Sequence, residues 1–159
     1  MHKAGFIAIV GKPNAGKSTL LNTLLGQDLS IVTHKAQTTR HRIRGVVSQP
    51  DYQLVFSDTP GIITPGYQLH QRMMTFVQSA FADADVVLLV YDALGNDMDA
   101  EKFKTLLPGD KKLVVALNKI DLSNQEELEN IVQKIEQQLN PDAIVPISAK
   151  EKFGGDVLI

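Results

Sequence analysis

Short apolar runs alternate with stretches of helical spacing along this chain, and each change of period marks an expected element. The run Phe6-Ile7-Ala8-Ile9-Val10 has the make-up of a buried strand. Leu20, Leu21, Leu24 and Leu25 then recur at helical spacing as far as Gly26, a residue suited to ending a helix. Two further strands are predicted at 43–48 and 52–57. The link between them, Gln49-Pro50-Asp51, is short enough only for an antiparallel hairpin. A helix over 69–82 leads to a strand at 86–90, and a shorter helix near 99–107 leads to one at 113–117. Ser123 and Glu126 stand at capping-box spacing ahead of Leu128, Ile131, Val132, Ile135 and Leu139, which predicts a long amphipathic helix ending before Pro141. The last strand is expected at 143–147. The pattern is that of an α/β domain: six strands, mostly parallel with one antiparallel edge hairpin, and helices on both faces. Val157-Leu158-Ile159 opens one more helix, which the spacing expects to continue past residue 159.

The length of 159 residues, with 43% hydrophobic and 21% charged positions, suits one domain and excludes a disordered or low-complexity polymer. With no cysteine there is no disulfide framework or thiolate metal site, and His2, His34, His41 and His70 are too scattered to suggest a metal cluster. Residues 86–91, the longest strongly apolar run, are far too few to span a bilayer, so a cytoplasmic protein is expected. The net charge of −2 conceals an asymmetry. Residues 1–50 hold seven Lys and Arg against Asp28 alone, and the remainder holds nine against seventeen acids. A basic first third suits an anionic ligand such as a polyphosphate.

Gly11-Lys12-Pro13-Asn14-Ala15-Gly16-Lys17-Ser18 fits the P-loop pattern, between a predicted strand and a predicted helix. Glycines at that spacing let backbone N–H groups turn inward around phosphate oxygens. The helix N-terminus adds its partial positive charge. Lys17 is then placed to bridge the terminal phosphates, and Ser18 to offer its hydroxyl to Mg²⁺. Asp58-Thr59-Pro60-Gly61 follows a predicted strand, so that Asp58 could hold Mg²⁺ through water and the Gly61 N–H could meet a γ-phosphate; the same residues also make an ordinary turn. Asn118-Lys119-Ile120-Asp121 ends another strand. The Asp121 carboxylate can accept both donors on the guanine edge, whereas adenine presents an acceptor there. Ser148-Ala149-Lys150 follows the last predicted strand, where backbone N–H groups could meet the guanine carbonyl.

Taken in order with Gln37-Thr38-Thr39-Arg40-His41, these motifs resemble the translation-factor-related branch of P-loop GTPases. Lys35-Ala36-Gln37-Thr38-Thr39-Arg40-His41-Arg42-Ile43, together with Gly11-Lys12-Pro13-Asn14, is similar to the bacterial Era family of ribosome-assembly GTPases. The resemblance implies a three-layer Ras-like domain that binds GTP and GDP with Mg²⁺ and hydrolyses GTP. Nucleotide contacts would come from residues 11–18 with Thr19, from Asp58, Thr59, Pro60 and Gly61, from Asn118, Lys119 and Asp121, and from Ser148, Ala149 and Lys150. Ser18, Asp58 and either Thr38 or Thr39 would serve the metal. Lys17, Asn14, Gly61 and Thr39 would serve catalysis, with residues 27–42 and 59–68 as mobile switches. Members of that family also carry a C-terminal KH domain that binds small-subunit ribosomal RNA during 30S maturation. The resemblance implies no obligate oligomer and leaves peripheral contact with the inner membrane open.

Two points stay open at this level. Ile62 stands where Ras-like enzymes carry a water-orienting glutamine, and an aliphatic side chain cannot take that role. Asn14 either holds a K⁺ ion beside the phosphates or supports a tight turn. The alternative to an enzyme is a catalytically silent guanine-nucleotide scaffold that docks an RNA or protein. The cations Lys35, Arg40, Arg42 and Arg44 form either an RNA-facing patch or a solvated charge run.

Overall fold

A computed structural model describes residues 3–26, 43–59, 68–95 and 99–159, without side-chain detail at 43–44 and 68–73. In chain order the elements are β1 (Lys3–Gly11), α1 (Lys17–Leu25), β2 (Ile43–Ser48), β3 (Tyr52–Asp58), α2 (Gln68–Asp83), β4 (Val86–Asp92), α3 (Ala100–Leu106), β5 (Lys112–Asn118), α4 (Gln125–Leu139), β6 (Ala143–Pro146) and α5 (Gly155–Leu158). The six strands form one sheet in the order β2-β3-β1-β4-β5-β6, with β2 antiparallel to β3 and every other pair parallel. The three-residue link at 49–51 makes the expected hairpin, closed by the Gln49 N–H on the Tyr52 carbonyl.

Alternation along the central strands sorts the core into two layers. Ala8, Val10, Val87, Leu89, Leu113, Val115 and Leu117 pack with Val77, Ala80, Phe81, Phe103, Ile135 and Leu139 of α2, α3 and α4. Ile9, Phe56, Leu88, Val90 and Ala116 face the other way, toward Leu20 and Leu21 of α1 and Leu158 of α5. Each central strand is thus covered on both faces, which is why it reads as a continuous apolar run.

Two local expectations need correction. Phe6 belongs to the run predicted as a buried strand, yet it is 44% exposed. The reason is register: β1 pairs with β3 from Lys3 onward but with β4 only from Ile7, so its first half lies at the open end of the sheet. The capping box of α4 is formed by Asn124 and Glu127, one residue later than Ser123 and Glu126. Ser123 instead closes the short 3₁₀ turn 120–122, its N–H bonding to the Ile120 carbonyl. Asn caps a helix as well as Ser does, and the turn decides which of them is free to do so.

β1 is flanked by β3 on one side and β4 on the other, so the chain winds away from it in both directions. In an open α/β sheet, a ligand crevice forms beyond the carboxyl ends of the strands at such a switch point. Among the described residues no helix is long and apolar enough to cross a membrane.

Candidate nucleotide-binding site

The loop from Gly11 to Gly16 leaves β1 at that switch point and opens α1. A side chain at Gly11 would meet the Val90 carbonyl at 2.5 Å, and one at Gly16, where φ is +101°, would collide with the Asn118 amide. Glycine is therefore required at both ends of the loop for packing. The Lys12 carbonyl receives the Ala15 N–H at 3.3 Å and the Lys17 ammonium at 2.8 Å, curling the backbone around the helix start. Lys17 is buried, and burial pulls its ammonium down to about 8, against the opposing pull of the Asp58 carboxylate. A second anion at this place, such as a phosphate, would favour the charged form.

Ser18 follows on the first turn of α1, and its hydroxyl donates to Asp58 Oδ2 at 2.8 Å. Asp58 ends β3 level with Ile9 of β1, and the next residue, Thr59, is fully buried with its hydroxyl on the Ile9 carbonyl at 2.8 Å. A hydroxyl and a carboxylate side by side are hard oxygen donors, the chemistry that suits Mg²⁺ retaining much of its water.

On the other side of the loop, side chains from β5 tie three strand ends together. Asn118 is buried; its amide donates to the Ala15 carbonyl at 2.9 Å and accepts from the Ala149 N–H at 3.0 Å. Lys119, in a left-handed conformation with φ 68°, donates to the Asn14 carbonyl at 2.9 Å and pairs with Asp92. Asp121 lies at the exposed rim, where one oxygen accepts the Ser148 hydroxyl at 2.7 Å. The turn 148–153 that carries Lys150 is closed by backbone bonds between Ser148 and Phe153.

The motif residues at 11–19, 58–59, 118–121 and 148–150 thus all sit along one edge of the sheet. Thr38, Thr39, Pro60, Gly61 and Ile62 lie outside the described residues, as do the cations Lys35, Arg40 and Arg42. Asn14 stands at φ 63°, a left-handed conformation that Asn tolerates better than most residues, so the turn reading has a backbone cause. Sequence reasoning missed Asp92 and Thr23. Asp92 ends β4 directly beside Asn118 in the sheet register, so its place at a strand end was an available signal. Thr23 lies on α1, and its hydroxyl bonds to the carbonyls of Thr19 and Ala149 at 2.9 and 3.0 Å.

Residues 6–119 match the family model described as 50S ribosome-binding GTPase. The chain belongs to this GTPase family. It is 45% identical over 159 residues to GTPase Era of Bordetella avium, covering 99% of this chain and 54% of that protein. It is 42% identical over 160 residues to the chloroplastic GTPase ERA1 of Zea mays, covering 98% of this chain and 38% of that protein. The resemblance to the Era family therefore holds, and the chain spans about half or less of the length of these relatives. A crystal structure of Era in complex with MgGDPNP and a segment of 16S ribosomal RNA superposes with a TM-score of 0.92 at 39% identity, over 99% of this chain and 55% of that one. The Ras-like P-loop GTPase fold is thereby shown. The G-domain of FeoB from Methanococcus jannaschii, at 27% identity and a TM-score of 0.71, is itself 93% covered.

Proposed function

We propose that this chain binds GTP with Mg²⁺ and hydrolyses it to GDP and phosphate, as the switch domain of a protein acting in small-subunit ribosome assembly. The observation that carries the reading is the Asn118 bridge, which supports a phosphate cradle and a guanine-reading edge built as one unit.

The backbone N–H groups of residues 14–18 and the Lys17 ammonium would hold the β- and γ-phosphates. Asp121 would accept the guanine N1–H and exocyclic amine, with the Ser148 hydroxyl fixing the carboxylate. The Lys150 N–H would face the guanine carbonyl, while the Ala149 N–H stays on Asn118 and holds that turn in place. Ser18 and Asp58, with Thr38 or Thr39, would hold Mg²⁺, which would neutralise phosphate charge when bound, and the Gly61 N–H would meet the γ-phosphate. In hydrolysis, water attacks the γ-phosphorus and the bond to the bridging oxygen breaks. Lys17 and the loop N–H groups stabilise the negative charge that moves onto that oxygen. Asn14 is proposed to hold K⁺ beside the phosphates, taking the place of an arginine finger.

The ribosomal role rests on the relatives, among them the Era structure holding a 16S ribosomal RNA segment. We place the protein in the cytoplasm, and cell fractionation tests whether part of it sits on the inner membrane. Phosphate release measured with GTP and Mg²⁺ tests the activity: turnover that disappears in Lys17→Ala supports the enzyme, and tight GTP binding with no phosphate release favours the silent scaffold.

A further inference from the structure

We infer that Asp92 is a positioning residue that sets how long the nucleotide is retained, acting through Lys119. The inference rests on the reading above, that nucleotide lies between the P-loop and residues 118–121.

Lys119 spans two parts of the site. Its ammonium donates to the carbonyl of Asn14 in the P-loop, while its own backbone begins the segment that leads to Asp121. Both residues it joins, Asn14 and Lys119, stand in left-handed conformations, at φ 63° and 68°. For residues other than glycine such conformations are uncommon and persist where surrounding contacts hold them. Asp92 provides that hold. Its Oδ2 pairs with the Lys119 ammonium, and its Oδ1 accepts the Leu94 N–H at 2.9 Å, which fixes the carboxylate in a turn immediately after β4. The neighbouring backbone is tied as well: the Ala93 N–H bonds to the Asn118 carbonyl at 2.9 Å.

An exposed ion pair contributes little to stability. This one differs because the two side chains are only 23% and 30% exposed and the ammonium carries a second directed bond into the P-loop. Asp92 sits on the base side, so GDP and GTP should feel its loss equally.

Asp92→Asn separates the two functions of the carboxylate. The amide oxygen can still accept from Leu94, but the charge facing Lys119 is gone. With fluorescent N-methylanthraniloyl-GDP on this chain, Asp92→Asn is expected to release nucleotide about tenfold faster than wild type, with affinity for GDP and GTP lowered by the same factor. In a Lys119→Met background, adding Asp92→Asn should change release less than about twofold, because the partner is already absent. Release within twofold of wild type, or a full tenfold effect that persists without Lys119, overturns the inference. If Asp92→Asn does not accumulate folded, Asp92→Ser is read by the same criteria. A wild type that binds no GDP overturns the underlying reading and this inference with it, whereas a wild type that binds and an unaffected variant overturn the inference alone.

Discussion

The two halves of the site are held in different ways. On the base side, side chains cross between strand ends: Asn118 reaches Ala15 and Ala149, Lys119 reaches Asn14 and Asp92, and Ser148 reaches Asp121. On the phosphate side the loop folds back on itself, the Lys12 carbonyl taking both the Ala15 N–H and the Lys17 ammonium, and a side-chain tie to a neighbouring strand comes at the helix start, from Ser18 to Asp58. A recognition edge must keep its shape to discriminate between bases, and side chains tied to other strands give it that shape. A phosphate cradle must present N–H groups and a cation, and a curled backbone with a buried lysine does so. The ammonium of Lys17, pulled by burial to about 8, would gain a partner when phosphate arrives.

If the base side is the reader, Asp121→Asn has the largest effect. The variant loses two charge-assisted hydrogen bonds to guanine at roughly 1.5–3 kcal/mol each. Affinity for GTP should fall by at least about a hundredfold, and xanthosine triphosphate, whose altered edge complements an amide, should bind in its place. Competition titrations with the two nucleotides check this.

Next comes Asn118→Ala, which leaves the Ala15 carbonyl and the Ala149 N–H buried without their partner. A loss of about 2–4 kcal/mol is expected, which lowers Tm by roughly 5–15 °C. Thermal unfolding without nucleotide measures it, and an unchanged Tm would mean that the two halves are independently stable.

The phosphate side is probed through Asn14. Single-turnover hydrolysis should run about tenfold faster in K⁺ than in Na⁺ for wild type and show no such preference in Asn14→Ala. Equal rates in both salts would leave Asn14 as a turn residue.

How far the sequence disclosed this arrangement depends on the kind of signal. The P-loop was legible because Gly11, Gly16, Lys17 and Ser18 hold a fixed spacing that backbone geometry demands, and the strands were legible because double-sided burial makes Val86 to Val90 uniformly apolar. Asp92 was not, because a single acid after an apolar run has no spacing signature; its meaning comes from the β4 to β5 register that sets it beside Asn118. The α4 cap lies one residue later than the pattern predicts because Ser123 and Asn124 are both followed three residues on by Glu, and the 3₁₀ turn that occupies Ser123 is a tertiary outcome. Exposure of Phe6 likewise depends on where β4 begins to pair.

The smallest effect lies away from the site, at the far end of the sheet. The Asp142 carboxylate accepts the Leu113 N–H at 2.8 Å and the Lys112 ammonium at 3.1 Å, and these bonds hold it below its ordinary value of 3.8. A carboxyl lowered on folding adds stability above its unfolded value and loses it as pH falls through the folded one. Asp142→Asn should therefore be slightly less stable than wild type at neutral pH, and the difference should close as the pH drops below 3.8. Tm measured across that range decides it, and nucleotide affinity should not change.

On the proposed reading, along one edge of the sheet, the ends of β5 and β6 read guanine while the loop after β1 grips phosphate. Competition between GTP and ATP for the wild-type chain, at equal Mg²⁺ and against labelled GDP, tests it most directly. GTP should displace the label at least about a hundredfold more effectively than ATP, because adenine meets Asp121 with an acceptor in place of the guanine donors. Equal displacement by the two nucleotides would contradict the account.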